Sequence, residues 1–216
     1  MKTLHRDGHL LVIDKPPGLL SQPDHTGDVD VVSLGKDRPP RPASGVMVLA
    51  RTPDAARDLS RQFRERLVEK RYLVLVKGTL SGIGTWTDYI AKPDRQPRLV
   101  DPEHSEGKRA VLEWQALTSS DDRTLLQVEL HTGRPHQIRL QATSRGHPVV
   151  GDQRYGATSS LGDRAIALHQ ALLRVEHPAS PRRETFGAEP PAIWDEVTTD
   201  AMRAAVRRVL DRAQAS

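Results

Sequence analysis

The sequence predicts an α+β fold on three observations. Short apolar runs end in Pro/Gly-marked turns. Two neighbouring segments alternate apolar and polar residues. Three stretches carry apolar residues at helical spacing. His9–Ile13 reads as a buried strand closed by Asp14-Lys15-Pro16-Pro17-Gly18. Val46–Ala50 and Tyr72–Val76 read as two more strands, the latter ended by Lys77-Gly78. Residues 24–42, rich in Pro, Gly and Asp, read as a loop with one short turn or strand at Val29–Leu34. Thr52 and Pro53 open a helix running to about Val68, with Ala56, Leu59, Phe63 and Leu67 facing inward. Gly82–Gly107 is irregular; its GIG triplet lacks the helix start and GKS or GKT of a phosphate loop. Val111–Leu117 and Thr124–His131 read as a half-buried antiparallel pair joined by a polar turn at Thr118–Arg123. Asp195–Ala213 forms a last helix, with Met202, Val206, Val209 and Leu210 on one side.

With 216 residues, the chain can bury one sizeable core or two small ones. The charge of +4 and pI near 9.6 permit RNA binding. The absence of cysteine excludes disulfides and thiolate chemistry. No apolar run has membrane-spanning length and Met1–Leu11 lacks a signal-peptide core, so a cytoplasmic location is expected. His131, His136, His147 and His169 match no zinc spacing, and no metal site is expected.

The densest chemistry lies in His131–Gly156, HTGRPHQIRLQATSRGHPVVGDQRYG. A strand runs into Thr132-Gly133, and a short helix spans about Pro135–Thr143, capped by Thr132, with Ile138 and Ala142 inward. Arg134, His136, Gln137, Arg139 and Arg145 place donors near that junction. Orphan N–H groups at a helix start favour an anion. Two readings stand side by side: a basic site for phosphate or carboxylate, or an amphipathic helix with a solvated face.

The strings TGRPHQIR and GHPVVGDQRYG resemble the C-terminal signature of the RluA-type RNA pseudouridine synthases. LLVIDKPPGLLSQP, RPASGVMVLART, KRYLVLVKG and AIALHQALL resemble further motifs of that family, so the likeness runs from about His9 to Trp194. Gln141 departs from the family's usual histidine. The resemblance implies a single catalytic domain, with flanking helices and loops around a central, largely antiparallel mixed sheet. Relatives often carry a separate RNA-binding domain before the first motif; here about eight residues precede it, which implies the short form. It implies conversion of uridine to pseudouridine in structured rRNA or tRNA, with no cofactor, by a monomer. Tyr72 would stack on the flipped base, Leu168 would pack on its other side, and Arg139 would pair with the catalytic aspartate. Arg134, His136, Gln137, Arg41 and Lys70 would contact RNA.

The catalytic aspartate is where the chain departs. Matched without a gap, Arg41-Pro42-Ala43-Ser44-Gly45 aligns with the motif, and Pro40 occupies the aspartate's position. In a second register, Asp37-Arg38-Pro39 supplies the family's Asp-Arg-Pro, with three residues inserted before Ala43. Three residues span up to roughly 10 Å, and a misplacement of about 1 Å already costs catalysis heavily. Three functions follow: an active synthase using Asp37, a silent relative that keeps the RNA cleft, and an unrelated anion-binding enzyme. Without Asp37 in place, Arg139 is expected to face the pocket unpaired.

Overall fold

The structure, a computed structural model, describes residues 1–18, 42–162 and 165–214. Asp37, Pro40 and Arg41 lie outside these residues. The described strands form one sheet: β1 (Lys2–Arg6), β2 (Leu10–Lys15), β3 (Ser44–Ala50), β4 (Glu69–Lys77), β5 (Ile83–Ala91), β6 (Arg98–Val100), β7 (Lys108–Ser120), β8 (Arg123–Leu130), β9 (Leu168–Glu176) and β10 (Arg183–Gly187). Their order is β1-β2-β3-β9-β4-β8-β7-β5-β6, with β10 paired to β9. These pairings are antiparallel except β3–β9, which runs parallel through Ser44–His169 and Gly45–Gln170. Helices α1 (Pro53–Glu65), α2 (Gln137–Thr143) and α3 (Asp200–Gln214) accompany the sheet. The expected α+β architecture with a mixed, mostly antiparallel sheet is the one observed.

The middle of β4 is apolar on both faces. Leu73–Val76 of β4 are wholly buried, as a strand covered on both sides requires. Leu75, Leu125, Ile138, Val149, Met202 and Leu210 share one core, which binds α2 and α3 to the sheet. β7 and β8 turn through Asp121 and Asp122, with φ of 52° and 56°. Two positive φ values match the right-handed twist of a two-residue hairpin, and aspartate tolerates them. The six-residue turn expected from polarity is therefore only two residues long.

Several expectations change. β1, β5 and β6 were not legible as strands: β1 is exposed at the sheet edge, and β5 alternates among Thr, Trp, Asp and Tyr rather than forming an apolar run. A Cβ on Gly84 would lie 2.7 Å from the Trp114 indole, so the GIG glycine serves close packing. α1 has the expected Thr52 cap, whose hydroxyl accepts from Ala55 N at 3.2 Å, but stops at Glu65 with Arg66 left-handed at φ 62°. Its buried face is Ala55, Leu59 and Gln62; Phe63 and Leu67 are exposed. Gln62 takes the inward slot because its amide donates to Glu176 O at 2.8 Å and accepts from Glu176 N at 3.0 Å. α3 starts at Asp200, after a 3₁₀ turn at Ala192–Glu196, and buries Met202, Val206 and Leu210. No helix among the described residues is long and apolar enough to cross a membrane.

Candidate active site

A cleft of about 230 Å³ lies between α2, β4 and the segments entering β3 and β9. Tyr72, Arg134, His136, Gln137, Arg139 and Leu168 line it, with Ala43 and Ile166 completing the wall. Six residues singled out in three motifs thus meet at one place. Lys70 does not line the cleft: its ammonium lies 5.8 Å from the Phe63 ring centroid, and burial lowers its pKa.

The junction that carries the basic residues differs from the expected cap. α2 begins at Gln137, and His136 occupies the cap position in left-handed backbone, φ 55° and ψ 22°, without a side-chain cap bond. Pro135 lies before the helix. Thr132 instead ties strand to helix: its hydroxyl accepts from Val111 N at 2.7 Å and meets Gln137 Oε1 at 2.8 Å. Arg134 N donates to the same Gln137 oxygen at 3.0 Å, which fixes the amide's orientation. Ile138 and Ala142 face the core as expected. Left-handed backbone at a non-glycine residue concentrates at functional sites.

Arg139 is buried, and its fork grips Asp152: Nε to Oδ2 at 2.6 Å and Nη2 to Oδ1 at 2.7 Å. This corrects the expectation that Arg139 would stand unpaired without a catalytic carboxylate. Asp152 already neutralises it, and the bidentate geometry fixes the guanidinium plane. The guanidinium carbon also sits 4.7 Å from the Tyr155 ring centroid, and the Tyr155 hydroxyl meets His136 Nδ1 at 2.7 Å.

Tyr72 follows a bulge in the β4–β9 register, between Arg71 and Tyr72. Such bulges re-aim side chains beside active sites. Its hydroxyl donates to Gln170 Oε1 at 2.7 Å. Burial pushes the phenol above its ordinary pKa, so it stays neutral. Behind the cleft, Ser44 Oγ lies 2.9 Å from His169 Nδ1, and His169 Nε2 lies 2.9 Å from Ala188 O. The carbonyl requires Nε2–H, so Ser44 donates to Nδ1. Burial, opposed by the Ala188 bond and aided by Lys15, pushes His169 down to about 4. Gly45 has φ 119°, and a Cβ there would lie 2.4 Å from Gln170 O. The motif glycine lets β3 approach β9.

Sequence reasoning missed Asp152, Tyr155, His169 and Gln170 as partners, although GDQRYG and AIALHQALL contain them. The signal was an acidic and an aromatic residue three apart after the basic helix. Arg145 leaves the cleft, pairing with Asp88 at 2.9 Å and lying over Trp86. Gln141 is fully buried and donates to the same Asp88 at 2.7 Å, so its departure from histidine lies away from the cleft. The four histidines weighed for metal each have separate protein partners: Glu113, Tyr155, Lys77 O, and the Ser44–Ala188 pair.

Residues 9–144 match the family model described as RNA pseudouridylate synthase. The chain belongs to this family. It is 35% identical over 205 residues to the dual-specificity RNA pseudouridine synthase RluA of Escherichia coli (strain K12), covering 86% of this chain and 91% of that relative. It is 34% identical to the ribosomal large subunit pseudouridine synthase D of Nitrosomonas europaea, covering 83% of this chain but only 59% of the relative. An uncharacterized RNA pseudouridine synthase of Aquifex aeolicus (strain VF5) is 37% identical over 182 residues, covering 73% of this chain and 56% of the relative. The chain thus spans somewhat over half the length of the latter two. The solved structures of human RNA pseudouridylate synthase domain containing 4 and 1 share the fold, with TM-scores of 0.70 and 0.71 at 21% identity, each covering 95% of this chain and 93% and 94% of the solved chains.

Proposed function

We propose that the chain isomerises uridine to pseudouridine in structured RNA, rRNA or tRNA, as a cytoplasmic monomer without a cofactor. The observation that carries this reading is the single cleft in which Tyr72, Leu168 and Arg139 meet. A uridine inside a helix cannot be reached there and must leave the stack. The Tyr72 ring offers the extruded base a flat apolar face, and Leu168 offers an aliphatic one. Arg134, His136 and Gln137 supply polar groups around them. The reaction breaks N1–C1′, turns the uracil and joins C5 to C1′; C5 loses its proton, N1 gains one, and there is no net oxidation or reduction.

Asp37 is the carboxylate in this reading, taken in the gapped register, either attacking covalently or removing a ribose proton. Two Arg139 nitrogens serve Asp152, and Nη1 makes no hydrogen bond among the described residues. Through Nη1 the guanidinium would align Asp37. A second reading, a silent relative that binds RNA, is favoured by one specific arrangement. Pro40 stands at the ungapped catalytic position, and among the described residues Asp152 is the carboxylate that compensates Arg139. The charge of Arg139 is therefore met without a catalytic carboxylate.

The deciding experiment measures pseudouridine formation in RNA from a strain lacking this protein, with wild type, Asp37→Asn and Pro40→Asp. Activity in wild type that vanishes in Asp37→Asn supports the synthase reading. A silent wild type that gains activity as Pro40→Asp supports the second.

A further inference from the structure

We infer that Tyr155 is a positioning residue of the RNA cleft, setting through its hydroxyl the conformation and proton of His136 and through its ring the seat of Arg139. This rests on the reading of the cleft as an RNA site. The turn Gln153–Tyr155 projects Asp152 and Tyr155 from one short segment, closed by Tyr155 N donating to Asp152 O at 3.0 Å. Both side chains then reach the cleft wall. Asp152 grips Arg139 edge-on, while the Tyr155 ring covers the same guanidinium at 4.7 Å. A second cation, Arg154, lies 5.7 Å from that ring. The backbone of Tyr155 is itself tied to α2, its carbonyl accepting from Thr143 Oγ1 at 2.8 Å.

His136 is held at a cost. Its backbone is left-handed, and no side-chain cap bond of its own supports the helix start. The hydroxyl of Tyr155, 2.7 Å from Nδ1, is a contact that keeps the imidazole against the cleft. Burial raises the pKa of the Tyr155 phenol, against the lowering pull of Arg154 and Arg139, so the group keeps its proton and has an O–H to donate. The phenol therefore donates, Nδ1 accepts, and neutral His136 carries its proton on Nε2. That N–H lies across the ring from the Nδ1 that Tyr155 engages, so the bond to Tyr155 decides the polarity of the far ring nitrogen. Asp152 and Tyr155 thus act as one bracket: the first fixes a charge, the second a neutral donor beside it.

The test is Tyr155→Phe, which keeps the ring over Arg139 and removes only the hydroxyl. Imidazole ¹⁵N spectra of His136, recorded without RNA, should show the Nε2–H tautomer in wild type and a tautomer mixture in the variant. With RNA from a strain lacking this protein, KM should rise about five-fold, the equivalent of one ordinary hydrogen bond, with kcat within about two-fold. In a His136→Ala background, Tyr155→Phe should change nothing further. An unchanged ¹⁵N signature, an unchanged KM, or an equal effect without His136 overturns the inference. A wild type that forms no pseudouridine strikes the proposed activity instead. The comparison then passes to the Kd for the same RNA at low salt, where a five-fold loss supports the bracket and equal binding refutes it.

Discussion

Two buried polar anchors border the cleft, and they are built on opposite principles. Arg139–Asp152 joins residues 13 apart in sequence, both charged, in bidentate contact. Ser44–His169 joins residues 125 apart, both neutral, and staples the parallel seam between β3 and β9. The first aims a charge into the cleft; the second holds its floor. A buried ion pair is conditional on both partners, because either alone is an uncompensated charge in a poor solvent. A neutral pair loses only hydrogen bonds when broken. The two anchors should therefore fail by different amounts and under different conditions.

The largest effect should follow Asp152→Ala. It leaves the Arg139 guanidinium buried without its carboxylate and should lower the unfolding free energy by about 3–5 kcal/mol in urea titrations. Native stabilities of about 5–15 kcal/mol make that a large share of the total. Replacing both partners, as Arg139→Met with Asp152→Leu, should recover most of the loss while RNA turnover stays absent. A single-variant loss below about 1 kcal/mol would erase the distinction between the anchors.

The same contrast decides what could be read from the sequence. The local anchor lies within one contiguous string, so HQIR and GDQRYG marked its neighbourhood even though Asp152 was not named as the partner. The long-range anchor depends on topology: nothing near Ser44 announces His169, and only the parallel crossing of β3 beside β9 brings them together. Core strands β2, β3, β4, β7 and β8 were legible because apolar runs and alternation encode burial directly. β1 and β5 were not, since edge exposure and mixed composition remove that signal. The α1 stripe was misplaced by one residue for a related reason. Gln62 enters the core by satisfying both backbone groups of Glu176, a partner 114 residues away. Tyr72, Arg139 and Leu168 were predicted separately, and their meeting is a property of the fold.

Acid sharpens the comparison at an intermediate level. His169 is pushed down from 6.5 to about 4 in the folded chain. Between those values the unfolded chain holds the extra proton, so folding stability is full above about pH 6.5 and declines as pH falls toward 4. The limiting slope for one such group is about 1.4 kcal/mol per pH unit. His169→Gln retains a donor for Ala188 but cannot titrate. It should cost about 2 kcal/mol at pH 7.5 and flatten the dependence between pH 6.5 and 4. Parallel curves for the two proteins would mean that His169 is protonated in the folded state.

The smallest effect is expected at Tyr72, which shares the face of β9 that the staple does not use. Leu168 and Gln170 flank His169 and project to the opposite side, as strand alternation demands. Tyr72→Phe removes the bond to Gln170 but keeps the ring, and should cost about 1 kcal/mol in urea unfolding. Because burial keeps the phenol neutral up to alkaline pH, this loss should not vary between pH 5 and 8. Turnover should fall modestly in Tyr72→Phe and collapse in Tyr72→Ala, since the ring is the surface offered to the base. If Tyr72→Phe alone abolished pseudouridine formation, the hydroxyl would be moving a proton rather than orienting a ring. Gln170, as its hydrogen-bond acceptor, would then belong to the chemistry instead of the scaffold.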